Sequence, residues 1–202
     1  MENDLQKANL KQSGSFILAS GSPRRKELLS ELISDFQVIP STAEEIKTHP
    51  DGPLALISEN ARIKADQVAK AYPNSWVLGA DTLVFLKEKP FGKPRNMQEA
   101  KKMLLTLSGK THIVATGVCL KNISSNGETL FTEESFVTFK KLSGSMIETY
   151  FQKVNPLDKA GAYAIQTNPE MIVEKWEGSL FNIIGLPVEK LREELRLMRL
   201  TI

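Results

Sequence analysis

The sequence contains one cysteine, two histidines and almost no excess of charge of either sign. A single cysteine, Cys119, forms no disulfide within the chain and supplies no cysteine-rich metal site. It lies in the apolar run 113–120, where a thiol packs as a small hydrophobe. His49 and His112 have neither a neighbouring cysteine nor a partner at metal-ligand spacing, which argues against a histidine metal site or triad. Lys plus Arg number 26 against 24 for Asp plus Glu, a formal net charge of +2. A dedicated nucleic-acid binder needs a clearer basic excess, and no basic strand here carries closely spaced aromatics for stacking RNA bases. No stretch approaches the ~20 apolar residues that cross a bilayer, and the first fifteen residues are polar. The expectation is a cytoplasmic protein whose partners include no nucleic acid and no membrane.

Against these absences stand 202 residues, 41% hydrophobic and 25% charged, enough to bury a full core without staples. There is no internal repeat, and no linker rich in Gly, Pro or Ser divides the chain. The domain reading is a polar tail over 1–15 and a single domain over 16–202.

Periodicity predicts a strand at 16–20, then a helix with Ser22 at the N-cap, Pro23 in the first position and Leu28, Leu29 and Leu32 inward. A second strand at 36–39 leads into a polar loop, 41–52, and Ile57, Ala61, Ala65 and Val68 mark a second helix. Residues 76–86 read as a buried strand, or a strand pair interrupted near Gly79 and Asp81. A polar turn, 87–94, precedes a third helix opened by Asn96 and Glu99 as a capping box. Runs 113–120 and 129–140 form a predicted hairpin, followed by a short helix at 145–153, strands at 162–166 and 171–176, and a terminal helix from Pro187. Helices and strands alternate early and strands dominate later, so the class is α/β with a mixed sheet.

Chemistry concentrates in a few places. Arg24 and Arg25 occupy the first turn of a helix, where the dipole disfavours cations unless an anion sits there. Free N–H groups and two guanidinium forks together suit phosphate, although two solvated arginines would look the same in sequence. Asp81 and Thr82 place a carboxylate and a hydroxyl in an apolar strand, where an unpaired carboxylate is expensive. Asp81 should therefore be paired, metal-bound or catalytic, or else cap a turn. Lys64 falls within about 20° of Ile57 on its helix, so it either snorkels or reaches into a cleft. Lys93, with Pro94 and Arg95, closes a turn, and Glu44 and Glu45 sit in a polar loop; each reads equally as solvated charge.

Taken in order, LASGSPRR (18–25), EE (44–45), ARIKA (61–65), GADT (79–82), GKP (92–94), LSGKTH (107–112), DKAGAYAIQ (158–166) and GLP (185–187) resemble the Maf family of nucleoside triphosphate pyrophosphatases. The resemblance implies a two-lobed α/β fold, a mixed sheet with flanking helices similar to the inosine triphosphate pyrophosphatases, with the nucleotide between the lobes. It implies hydrolysis of a nucleoside triphosphate to monophosphate and pyrophosphate with a divalent cation, Mg²⁺ or Mn²⁺. It further implies Asp81 as the proton acceptor, Arg24, Arg25, Lys64, Thr82, Lys93 and Gln166 as substrate-binding residues, and Glu45 with Asp81 as metal ligands. Whether Asp81 is mainly base or mainly ligand stays open at this point.

Within the family, arginine, threonine and glutamine at positions 24, 82 and 166 go with enzymes that take dTTP and UTP. The alternatives are the 7-methyl-GTP branch, which carries an aromatic residue and a glutamate instead, and a non-catalytic nucleotide-sensing regulator of cell division. A homodimer is compatible with the resemblance. Departures are Thr167-Asn168-Pro169-Glu170, where relatives usually place glycine after the glutamine, and a more charged turn at 87–91. The first predicts a different loop path beside Gln166.

Overall fold

Strand and helix signals at the start of the chain translate directly into local structure in the computed structural model, which describes residues 15–200. Residues 1–14 of the expected tail and the last two of the expected domain lie outside that range. Strand β1 (Phe16–Leu18) leads to Ser22, whose hydroxyl accepts from the Arg25 N–H and caps helix α1 (Pro23–Ser30), with Pro23 in the first turn. A two-residue strand β2 (Gln37–Val38) precedes the long helix α2 (Pro53–Ala71), which buries Ile57, Ala61, Ala65 and Val68 as predicted. Then come β3 (Trp76–Leu86), β4 (Lys89–Phe91), α3 (Met97–Leu107), β5 (Thr111–Asn122), β6 (Gly127–Phe139) and α4 (Gly144–Phe151). Two single 3₁₀ turns, Ala160–Ala162 and Pro169–Met171, precede β7 (Val173–Glu177), α5 (Leu180–Ile184) and α6 (Val188–Leu197).

Several expectations are corrected. β3 is one unbroken strand, because β5 pairs antiparallel with it from Val77 through Phe85 and carries the ladder across Gly79 and Asp81. Part of the expected polar turn is β4, paired with the end of β3. Residues 162–166 form no strand: Gly161 and Ala162 both adopt left-handed backbone, φ 68° and 65°, which no strand ladder accommodates. Helix α5 spans 5 residues, too few to reveal a period, and is marked only by the Ser179 cap. The capping box is half formed, since Asn96 caps the Glu99 N–H while Glu99 turns back to the N–H and guanidinium of Arg95.

Among the described residues, seven strands form one mixed sheet, ordered β2-β1-β3-β5-β6-β7 with β4 also on β3. Since β5 occupies one edge of β3 throughout, β1 and β4 share the other. β1 runs parallel at Phe16–Leu18 against Trp76–Leu78, and β4 runs antiparallel against Val84–Leu86. Between them the edge at 79–83 has no partner strand. That split holds Asp81 and Thr82, and a polar belt crosses the sheet at the same level.

On one face, Thr82 and Thr116 separate an apolar cluster around Leu78, Ala80, Val118 and Leu120, packed by α1 and α6, from another around Val84, Val114, Val137 and Phe139, packed by α3 and α4. On the other face, Asp81 and Gly117 lie across from one another between the clusters of Val77 and Phe85. Helix α2 covers this second face at very short range. A Cβ on Gly79 would overlap the Ala61 carbonyl oxygen, and one on Gly117 would stand 2.7 Å from that of Ile57. These two glycines let α2 settle low enough for its polar side chains to reach Asp81.

Candidate active site

Asp81 and Thr82 are neighbours in sequence, so on a strand their side chains project to opposite faces. Asp81 points under α2. Its Oδ1 accepts from Lys64 Nζ at 2.7 Å, and its Oδ2 accepts from the Asn60 amide at 3.3 Å. Lys64 also contacts Glu45 Oε1 at 2.9 Å and donates to the Ala80 carbonyl at 3.4 Å, so one ammonium joins two carboxylates. The Lys64 and Asp81 side chains are only 11% and 16% exposed, whereas Glu45 is 53% exposed on its loop. Lys64 therefore reaches the cleft instead of snorkelling away from it. Glu44 is exposed and takes no part in the cleft wall.

Asn60 is a residue that pattern reading missed. It is 3% exposed, and its amide accepts from the Ile46 N–H at 2.9 Å while donating to the Ile46 carbonyl at 3.1 Å. This fastens the loop of Glu45 onto α2, one helical turn before Lys64. A polar residue four positions from Lys64 on an apolar stripe was the available signal.

Thr82 points to the other face, toward α1 and α5. Its hydroxyl accepts from Arg25 Nη2 at 2.9 Å and bonds Thr116 Oγ1 at 3.0 Å. Arg25 also donates from Nε to the Gly185 carbonyl at 2.9 Å and from Nη1 to Ser20 Oγ at 3.2 Å. It is a strut tying α1 to β3 and to the turn after α5, and three of its five N–H donors are already engaged. Burial lowers its pKa from the ordinary arginine value, and the nearby Asp81 charge opposes that shift.

Arg24 points across the cleft instead, with Nη1 on Asp158 Oδ2 at 3.3 Å. Burial by itself raises the Asp158 pKa, but hydrogen bonds and charge from Lys159 and Arg24 outweigh it and leave the group below the ordinary carboxylate range. Sequence reasoning singled out neither Asp158 nor Lys159, because only the folded chain brings residue 158 to residue 24.

Lys93 and Gln166, both exposed, complete the wall of a cleft of about 860 Å³ that includes every predicted site residue. That volume lies within the usual range for small-molecule sites. Six cations (Arg24, Arg25, Lys47, Lys64, Lys93 and Lys159) face three carboxylates (Glu45, Asp81 and Asp158), so the cleft carries more positive charge than the chain's net +2. Such a field selects polyanions. In the loop after Gln166, Asn168 is left-handed at φ 49°, the turn Pro169–Met171 follows, and the Glu170 carbonyl accepts from Lys140 Nζ at 2.6 Å.

No group of three or more His, Cys, Asp or Glu side chains suited to a metal exists among the described residues. Glu45 and Asp81 are nevertheless two oxygen donors held by a single ammonium. Mg²⁺ is typically bound by one or two carboxylates with waters and substrate phosphates, and this donor set fits that requirement. Among the described residues, no helix is long and apolar enough to cross a membrane.

The sequence model of a family described as Maf-like protein matches residues 15–198. The chain belongs to the Maf family. This Maf chain is 44% identical over 173 residues to a protein of Akkermansia muciniphila, covering 85% of this chain and 90% of that one. It is 43% identical over 181 residues to a protein of Bacillus cytotoxicus, covering 90% and 94%. A Thermosipho africanus protein shares 45% over 174 residues, covering 86% and 88%. Each of these relatives bears the name dTTP/UTP pyrophosphatase. The mixed sheet and flanking helices agree with the fold expected of the family.

Proposed function

We propose that this Maf-family chain hydrolyses dTTP and UTP to the nucleoside monophosphate and pyrophosphate. The observation that carries the reading is the Asp81–Lys64–Glu45 cluster at the split in the sheet, set in a cleft with a cationic excess. The names of the relatives supply the substrates.

Attack of water on the α-phosphorus of a tetra-anionic triphosphate first needs that charge offset. In this reading Arg24, Lys64 and Lys93 meet the phosphate oxygens, while Arg25 holds the N-terminal turn of α1 against β3 so that the positive end of the helix dipole faces the anion. Asp81 takes the proton of the attacking water, which leaves with its oxygen on the nucleoside monophosphate; pyrophosphate departs from the other side. Lys64 keeps the Asp81 carboxylate oriented through Oδ1, and Asn60 does so through Oδ2. A divalent cation held by Glu45 and Asp81 would supply charge neutralisation and polarise the phosphoryl oxygens. A site with both acids and the lysine in place is built for turnover, not for sensing alone. The reaction belongs in the cytoplasm, where nucleoside triphosphates are made.

Gln166 would read the base. A neutral amide offers a donor and an acceptor, matching the N3–H and carbonyl edge of thymine or uracil, and a site built on such bonds rejects bases that leave them unmade. In a panel of dTTP, UTP, CTP, GTP and 7-methyl-GTP, kcat/KM for pyrophosphate release should be highest for dTTP and UTP. Gln166→Glu should erase that lead. A lead for 7-methyl-GTP in the unaltered protein would refute the substrate assignment while leaving the reaction type standing.

Asp158 offers a separate check on Arg24. Exposed ion pairs are worth roughly 0.2–1 kcal/mol, so Asp158→Asn should free Arg24 and lower KM for UTP by up to about fivefold. The effect should shrink as salt is raised. An unaltered KM at low ionic strength would mean that Arg24 does not meet the phosphates.

A further inference from the structure

The segment that presents Gln166 has no strand or helix to define its course. It contains three left-handed residues, Gly161 (φ 68°), Ala162 (φ 65°) and Asn168 (φ 49°). A non-glycine residue in that region is strained and persists only where its surroundings over-determine it. Two buried polar side chains provide that determination.

Tyr150, on α4, is fully buried, and its hydroxyl accepts from the Ala164 N–H at 3.0 Å while donating to the Ala164 carbonyl at 3.2 Å. The same carbonyl accepts from the Thr167 N–H at 3.5 Å, closing a four-residue turn in which Gln166 is the third residue. One residue earlier, the Tyr163 hydroxyl bonds His112 Nε2 at 2.9 Å, and the Tyr163 ring packs edge-on against Phe139 at 4.8 Å. His112 is itself 1% exposed, and burial depresses its pKa to about 3, so the imidazole is neutral at any working pH. It acts here as a fixed hydrogen-bond partner, which accounts for a histidine that metal or triad chemistry does not use.

We propose that Tyr150, together with His112 acting through Tyr163, is a specificity-positioning residue that fixes the 164–167 turn and thereby aims the Gln166 amide at the base. This rests on the reading of Gln166 as the base-recognising residue. Neither side chain touches the phosphate end of the cleft, where Asp81 and Lys64 lie. The anchors should therefore govern discrimination between bases more than the chemical step. Orientation is what a paired donor and acceptor demand, because a tilted amide bonds a mismatched base about as well as the correct one.

The test compares kcat/KM for UTP, CTP and GTP in the unaltered protein and in Tyr150→Phe, with thermal melting measured alongside. The substitution keeps the ring but removes both bonds to Ala164. The ratio of UTP to GTP is expected to fall by about tenfold, through loss on UTP and little change on GTP. A merely structural tyrosine would lower the melting temperature and reduce all rates together. A constant ratio in folded Tyr150→Phe overturns the proposal while the substrate reading stands. If Tyr150→Phe does not fold, Tyr163→Phe, which removes only the bond to His112, carries the same expectation and the same refutation. An unaltered protein without pyrimidine preference overturns the substrate reading, and this inference with it.

Discussion

Replacing Asp81 by asparagine should lower kcat for UTP by about 10²–10⁴-fold, the usual contribution of a positioned general base. The amide has the size of the carboxylate and keeps a carbonyl to accept from Lys64, but it takes no proton from water and binds a cation weakly. Lys64 retains its contact with Glu45 at 2.9 Å, so the substitution does not strand a buried charge. The fold should persist, with a stability loss no greater than about 1.5–3 kcal/mol, the range for a lost hydrogen bond to a charged group. Steady-state kinetics and a thermal melt on the same sample decide it. Retention of more than about half the activity would remove Asp81 from the reaction.

Lys64→Ala should cost both activity and stability, which separates it from Asp81→Asn. Two carboxylates lose the ammonium that joins them, and Asp81, 16% exposed, is left facing only the Asn60 amide. Removing one partner of a buried ion pair costs about 3–5 kcal/mol; the residual solvent access here places the loss at the lower end. Turnover should fall by about 10²–10³-fold, as for other losses of a charge-stabilising donor. Added Mg²⁺ should recover part of the melting temperature, because a cation between Glu45 and Asp81 replaces the missing positive charge. A melting temperature insensitive to Mg²⁺ in this variant would argue that the two carboxylates do not share a cation.

The local elements around the site were legible in sequence because local rules create them. Ser22 and Pro23 start α1 through capping and a preset φ, and the apolar stripe of Ile57, Ala61, Ala65 and Val68 sets the buried face of α2. The hairpin of β5 and β6 follows from two long runs of β-formers around a turn, and it extends to the Asn122–Gly127 pair simply because the ladder continues. Ordered motifs along the chain also marked Arg24, Arg25, Glu45, Lys64, Asp81, Thr82, Lys93 and Gln166, all of which line one cleft.

Orientation and partnership were not legible, because they depend on contacts between residues far apart in the chain. Arg24 and Arg25 look equivalent in sequence, yet one crosses to Asp158 and the other is absorbed by Ser20, Thr82 and Gly185. Asn60 was marked only by its spacing from Lys64 and not by its role, since its partner Ile46 is set by the course of a loop without regular structure. The strand expected at 162–166 failed because Tyr150 holds the Ala164 backbone and His112 holds the Tyr163 side chain, tertiary bonds that override propensity. By itself the sequence determined most of the elements, the family and eight of the side chains that line the cleft, since these follow from periodicity, caps and ordered motifs. Only the tertiary structure decided the split in the sheet between β1 and β4, the low seat of α2 over Gly79 and Gly117, and the ion pair that results. Strand order and helix height are set by packing summed over the whole core, and no local stretch encodes that sum.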